Sequence, residues 1–313
     1  MKTKIKQKGG QRAFTIIELL TVMSVIVLLI SILVPALNTI RRYAKQVKQK
    51  AQFHAIEVSM DLFNAENEEY PSSQQFDSAN VQYCGAMKLA EAMIGQDKLG
   101  FHQNSKFLEN GKDGMLATSN PLYYLDPATP PNPALVTYKE NMRFRKDYLT
   151  LTNANAYRLG DIYASFGSFP RDSFNNKNNR FVLCDVYGNV NNLDPAGLGK
   201  AKIGMPVLYY RANTSKLLHD PLQPGDSIYD YRDNDELVKL GIPFSTTGAA
   251  HPIASTGTDS AGQPADPQKF YDIIKDKQVT ITTVPRPQNS KSYILMSAGF
   301  DGEYGTSDDI FNF

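Results

Sequence analysis

The run from Phe14 to Leu37 constrains this chain most, because it is apolar and carries a single charged residue, Glu18. It exceeds the ~20 residues that a helix needs to span a bilayer. A carboxylate inside such a helix costs roughly 2.5–3.5 kcal/mol on insertion scales, and intramembrane charges usually mark function. The sequence therefore predicts a membrane-spanning helix whose acid has a specific role.

Two ordinary interpretations of this segment remain open. A secretory signal peptide is cut after its apolar core, and Pro35-Ala36-Leu37 is a poor cleavage site. A plain single-span anchor needs only length and hydropathy. It gives no reason, however, for an acid at this distance from the small residue Ala13 and from Phe14.

The segment from Gln11 to Leu20 resembles the class III signal sequence of type IV pilins and type II secretion pseudopilins. Members of that family are cut before the apolar stretch, usually after Gly, and the new N-terminal residue is N-methylated. The resemblance implies a cut between Ala13 and Phe14, with Glu18 as the fifth mature residue. Cutting at Gly9-Gly10 would move Glu18 away from that position.

The resemblance also implies a fold class. We expect an α+β, pilin-like protein, in which a long N-terminal helix packs on a head containing a small antiparallel sheet. The expected segments are a leader (1–13), a transmembrane part of the helix (14–37), an amphipathic part (38–70), an inserted elaboration of the head (71–200) and a C-terminal sheet with an acidic, calcium-type loop (201–313).

Beyond the membrane segment, apolar residues recur at steps of three and four, as on one face of a helix. This pattern predicts that the face turned toward the head consists of Ile40, Ala44, Val47, Ala51, Ala55, Val58 and Leu62. Tyr70-Pro71 favours extended backbone, so the helix should end near Asn67.

Local patterns predict several elements of the head. Gly85–Ile94 and Phe270–Lys275 read as short helices. The acids Asp230, Asp233, Asp235 and Glu236 fit the first turn of another helix better than a metal site. The predicted strands are Arg180–Val186, Pro206–Arg211, Gln278–Val284 and Ser292–Ser297.

The loop that follows the last strong strand is acidic and rich in glycine. Ca²⁺ takes six to eight oxygen ligands, and glycine lets a tight loop aim carbonyl groups inward. The loop resembles the calcium loop of major pseudopilins. That resemblance implies Asp301 and Asp308 as side-chain ligands, with the Ala298 carbonyl as a candidate third ligand. Asp309 is a weaker candidate, because it could instead cap the turn at Ile310. The alternative is a metal-free loop held by turns that the acids themselves stabilise.

Charge and cysteine content narrow the remaining possibilities. The leader holds five of the 33 basic residues and none of the 32 acidic ones, so the mature chain is acidic and nucleic-acid binding is not expected. The basic leader also favours a cytoplasmic N-terminal side and a head outside the cytoplasm. Cys84 and Cys184 could form a disulfide or remain as buried free thiols. None of the four histidines shares a ligand spacing with another.

These observations predict a non-enzymatic structural subunit of a type II secretion pseudopilus or a type IV pilus. Its expected partners are the prepilin peptidase/methyltransferase, other pilin or pseudopilin subunits, the inner-membrane assembly platform and membrane lipid. Its expected location is the bacterial inner membrane, single-pass, with a periplasmic head or as part of a surface filament. The alternative is a membrane-anchored binding protein that uses a pilin-type export signal.

Overall fold

The computed structural model describes residues 15–76, 82–95, 98, 100–102, 145–163, 180–188, 190–193, 200–243, 248–278 and 285–313. The chain divides into two compact units, Met1–Lys45 and Gln46–Phe313. The predicted leader and Phe14 lie outside the described residues, as does most of the predicted strand 278–284.

The described part of the first unit is helical. Helix α1 runs from Ile16 to Asn67 and includes Pro35, and every large apolar side chain from Ile16 to Ile40 is exposed. Among the described residues, α1 is the one helix long and apolar enough to cross a membrane. The hydroxyl groups of Thr21, Ser24 and Ser31 donate to carbonyl groups of their own helix, so these polar groups need no water. The segment therefore fits a membrane anchor.

The second unit contains the rest of α1 and many short elements. In chain order these are α2 (Gly85–Ile94), β1 (Phe101–His102), β2 (Arg145–Lys146), α3 (Leu151–Ala154), β3 (Ala156–Arg158), α4 (Leu159–Ile162), β4 (Phe181–Leu183), β5 (Val190–Leu193), β6 (Lys200–Ile203), β7 (Leu208–Arg211), a 3-10 turn (Pro224–Asp226), α5 (Arg232–Val238), α6 (Gln268–Ile274), β8 (Tyr293–Ser297) and β9 (Ile310–Phe311).

The strands pair only with antiparallel neighbours within the described residues. β1 pairs with β2, β3 with β4, and β5 with β6, while β7, β8 and β9 form a three-stranded sheet with β8 in the middle. Leu208 lies opposite Met296, and Ser297 lies opposite Ile310. The protein is thus α+β with small antiparallel sheets, as the sequence predicted.

The three-stranded sheet separates two hydrophobic clusters, because successive side chains of a strand point to opposite faces. Tyr209 and Leu295 belong to the cluster that contains α1, together with Leu89 and Met93 of α2. Tyr210, Ile294 and Met296 belong to the other cluster, together with Phe270 and Tyr304. Helix α2 is buried along its whole length. It contributes side chains to both clusters, for example Met87 to one and Met93 to the other.

Most of the predicted elements in the described residues are confirmed, with shorter strands. Helix α1 ends at Asn67 and α2 spans Gly85–Ile94, as expected. Cys84 and Cys184 are buried free thiols, so the disulfide alternative does not describe this structure. Burial raises the pKa of Cys84 to about 11, and the thiol therefore stays protonated at neutral pH.

The predicted buried face of α1 is wrong. Val58 and Leu62 are 48% and 49% exposed, and Val47 is exposed as well. The side chains that α1 buries lie on a different face: Gln49, Gln52, Phe53, Ile56, Ser59, Met60 and Phe63.

Two glutamines explain this rotation of the face. Gln49 Oε1 accepts a hydrogen bond from the Val186 amide at 3.0 Å. Gln52 Nε2 donates to the carbonyl groups of Cys184 (2.9 Å) and Asn153 (3.2 Å). Polar side chains tolerate burial when they find such partners, and a search for apolar periodicity assigns them to the surface.

We predict that Ile56→Ala destabilises the second unit by about 2–5 kcal/mol, because it leaves a cavity between α1 and the sheet. Val58→Ala, two positions along the same helix, is the matched control and should change the free energy of unfolding by less than about 0.5 kcal/mol. Urea unfolding of the full chain in detergent, followed by tyrosine fluorescence, measures both. Equal losses of unfolding free energy in the two variants would instead support the buried face predicted from periodicity.

Candidate functional site

The only charged residue of the apolar run takes part in a helix cap. Thr15 precedes the first residue of α1, and its amide and hydroxyl groups both donate to Glu18 Oε2 at 2.9 Å. The Glu18 amide in turn donates a hydrogen bond to Thr15 Oγ1 at 3.3 Å. This reciprocal pair is a capping box, which satisfies amide groups that the first helical turn leaves without partners.

The capping box was missed in the sequence, although its signal is present. Thr-x-x-Glu before an apolar run is the pattern that predicts it. The cap gives Glu18 a local structural role, so its position does not by itself require a partner subunit. Ala13 and Phe14, the other two predicted processing residues, lie outside the described residues.

The acidic loop joins the two paired strands β8 and β9. Asp308 Oδ2 accepts hydrogen bonds from the amides of Phe300 (2.7 Å) and Asp301 (3.0 Å), while its Oδ1 accepts from the Thr306 hydroxyl at 2.6 Å. The Ala298 carbonyl accepts from the Gly302 amide at 3.2 Å. The two ends of the loop are thus held together by the carboxyl group of Asp308.

Close packing explains why a glycine begins this loop. Gly299 has φ +65°, and a Cβ atom there would lie 2.3 Å from the carbonyl oxygen of Asp308. Only glycine accepts both the positive φ and the close approach. This tight backbone brings Asp301 and Asp308 together, as the sequence predicted. The Asp301 amide donates to Asp308 Oδ2, and the two carboxyl groups interact directly.

A buried tyrosine fixes the loop to the core. Tyr304 is fully buried; its hydroxyl donates to the Pro206 carbonyl, and its amide donates to His251 Nδ1 at 3.2 Å. Burial lowers the pKa of His251 to about 3, so this ring is neutral and can accept. The Glu303 amide donates to Asp301 Oδ1 at 2.8 Å, while its carboxyl group accepts from Ser260 Oγ at 2.7 Å.

Asp309 does not cap the turn at Ile310, which the sequence had offered as its alternative role. Its Oδ2 instead accepts from the amides of Gly305 (2.8 Å) and Thr306 (3.0 Å), which precede it in the loop. Its Oδ1 is buried without a hydrogen-bond partner among the described residues. Such an orphaned carboxylate oxygen is costly unless something outside the protein pairs with it.

The electrostatics of the loop reflect its crowded acids. Burial and the neighbouring carboxyl group of Asp308 raise the pKa of Asp301 to about 6. Burial acts to raise the pKa of Asp308 as well, but hydrogen bonds from Thr306 and from two backbone amides lower it overall. Burial also raises the pKa of Asp309 well above its usual range. Negative charge is therefore disfavoured at two of the three aspartates.

These residues fit a hard cation in charge and in oxygen chemistry, but the set is incomplete. No three His, Cys, Asp or Glu side chains converge as metal ligands within the described part of the chain. Asp301 and Asp308 would supply two carboxylates, and carbonyl groups and water would have to complete the six to eight oxygens that Ca²⁺ takes.

The second acidic cluster belongs to a helix, as predicted. Asp233 and Asp235 lie in the first turn of α5, and Asp230 precedes it. Asp235 accepts from the amide and the hydroxyl of Ser255 and pairs with Lys239 at 2.8 Å. His54 is exposed on α1 and His219 is buried against Tyr271.

One curated relative supports the family resemblance over a short stretch. The chain is 32% identical over 69 residues to Type II secretion system core protein G of Aeromonas hydrophila. The match covers 22% of this chain and 48% of that protein, so the chain spans about half the length of the curated relative it matches. No protein-family profile matches the chain, and no solved structure matches it.

Proposed function

We propose that this chain is a pseudopilin-like structural subunit, without enzymatic activity, of a type II secretion pseudopilus or a type IV pilus. The observation that carries the proposal is the exposed apolar half of α1, whose first turn is capped by Thr15 and the acid Glu18. An apolar helix surface of this length is unstable in water and must be covered by lipid or by other helices. The 69-residue similarity to a type II secretion protein supports the same conclusion.

The proposed pathway combines the order of the segments with what the family resemblance implies. The basic leader remains cytoplasmic while the apolar run enters the inner membrane, which puts the second unit in the periplasm. A prepilin peptidase/methyltransferase then cuts between Ala13 and Phe14 and methylates the new amine. At the assembly platform, helices of neighbouring subunits finally replace the lipid that covered the apolar surface of α1.

Glu18 has two roles in this proposal, and they can be separated. Within the free subunit its carboxylate caps α1 through Thr15. In the filament we propose that it pairs with the methylated amine of Phe14 on a neighbouring subunit, where both charges are neutralised away from water. Capping needs only a hydrogen-bond acceptor, whereas pairing needs the negative charge.

Glu18→Gln tests the charge, because Gln retains the capping box but cannot pair with an amine as an anion. We expect normal membrane insertion and at least a tenfold loss of the subunit from sheared filaments. Thr15→Ala is the matched control: it removes a capping hydroxyl, keeps the charge, and should assemble. Quantitative immunoblotting of membrane and filament fractions measures both. Normal assembly of Glu18→Gln would mean that Glu18 acts only as a cap.

We further propose that the loop of Asp301 and Asp308 binds Ca²⁺, with the Ala298 carbonyl and Asp309 as additional candidate ligands. Adjacent carboxyl groups, a raised pKa at Asp301 and the orphaned Oδ1 of Asp309 support this proposal. A bound cation would offset the repulsion between these acids. It would stabilise a loop that closes the sheet outside the cytoplasm, where calcium sites bind with dissociation constants of ~10⁻⁴–10⁻³ M.

We predict that saturating Ca²⁺ raises the melting temperature of the full chain in detergent by about 5–10 °C over the chelated sample. Asp301→Asn combined with Asp308→Asn should abolish the rise, whereas Asp272→Asn, an exposed acid of α6, should preserve it. Mg²⁺ serves as the ion control. The calcium assignment would be wrong if the native chain showed no rise, or if the double variant showed the native one.

A further inference from the structure

A polar cavity of about 350 Å³ lies in the second unit, away from the acidic loop. It is lined by α5, by the chain after β7 and by the extended segment that follows α1. Its lining includes Ser73, Arg211, Thr214, Gly225, Asp230 and Asp233. The volume lies within the range of small-ligand sites, and nothing in the filament proposal uses this cavity.

Asp233 is the distinctive residue of this cavity. It is only 7% exposed, and its Oδ2 accepts a hydrogen bond from the Ser73 hydroxyl. Ser73 Oγ in turn accepts from the Arg211 amide at 2.9 Å, which fixes the hydroxyl group in place. Among the described residues the Asp233 carboxyl group has no other hydrogen bond or ion pair, and Asp233 is part of the cavity lining.

The other charged groups at the cavity are already paired. The Arg211 guanidinium donates to the Tyr70 carbonyl at 2.7 Å and to Glu69 Oε2 at 3.1 Å. Asp230 is held by the guanidinium of Arg232 through Nε (2.9 Å) and Nη2 (2.6 Å). Asp233 therefore contributes a buried acid that no cation of the described chain contacts directly.

Burial raises the pKa of Asp233 well above its usual range, and the positive charges of Lys88 and Arg232 offset only part of this effect. A desolvated carboxylate of this kind is stabilised by an added cation with hydrogen-bond donors. The geometry also discriminates between cations. Arginine prefers a two-oxygen contact with a carboxylate, and Ser73 occupies one oxygen; Ca²⁺ needs more oxygen ligands than one available carboxylate supplies.

We propose that this cavity binds a primary alkylammonium group, that of a lysine side chain or of a small free amine, with Asp233 Oδ1 as its acceptor. An ammonium carries three donors on a narrow stem. One N–H group donates to Asp233, and the other two donate to hydroxyl and carbonyl oxygens of the polar lining. The apolar stem extends toward solvent past Thr214, an exposed residue of the lining.

Saturation-transfer NMR on the full chain in detergent tests this proposal with two matched probes, Nα-acetyl-lysine amide and the uncharged Nα-acetyl-norleucine amide. We expect saturable binding of the lysine compound and at least tenfold weaker binding of the norleucine compound. Butylamine distinguishes the source: weaker binding than the lysine compound indicates a side-chain ligand, and equal or tighter binding indicates a free amine. Equal binding of the lysine and norleucine compounds, or no saturable binding of any amine, would overturn the proposal.

Variants locate the binding in this cavity. Asp233→Asn should weaken binding of the lysine compound at least tenfold, while Asp272→Asn, which removes an exposed acid elsewhere, should leave it unchanged. Thr214→Trp places a large side chain at an exposed position of the cavity lining and should also abolish binding by occupying the space. If Asp233→Asn fails to fold, Thr214→Trp decides alone. Native affinity in either folded variant would contradict the assignment.

Discussion

The packing of residues 49–63 of α1 on the three-stranded sheet is the interaction on which the second unit depends. Phe53, Ile56 and Met60 bury completely in a cluster that also contains Tyr209 and Leu295 of the central strands. Gln49 and Gln52 add hydrogen bonds to backbone groups just after β4 and to a carbonyl group within α3. The hydrophobic contacts provide the stabilisation, and the glutamines fix which face of the helix turns inward.

The same helix has an opposite character before residue 41, where its large apolar side chains are all exposed. The helix therefore buries one part of its length in the second unit and exposes an apolar surface along the other, which fits a membrane anchor. Lipid suits the apolar part, and in the proposed filament helices of neighbouring subunits would replace that lipid. The capping box at Thr15 and Glu18 keeps the first turn ordered in either environment.

The sequence predicted the elements better than their contacts. Helix α2, the end of α1 at Asn67 and strand β8 follow from local patterns, because periodicity and turn residues act over short distances. The buried face of α1 was missed because Gln49 and Gln52 depend on partners more than 100 residues away in the chain. The position of Asp233 at a cavity was equally invisible, since Ser73 and Arg211 come from other elements. The pairing of Asp301 with Asp308 could be anticipated because one short loop contains both.

The N-terminus of the mature protein tests the central claim most directly, because cleavage distinguishes a filament subunit from an ordinary anchor or a secreted protein. The measurement is the intact mass and N-terminal sequence of the protein purified from native membranes. This account predicts a chain that begins with N-methylated Phe14. An uncut N-terminus, or a cut after Ala36, would contradict it.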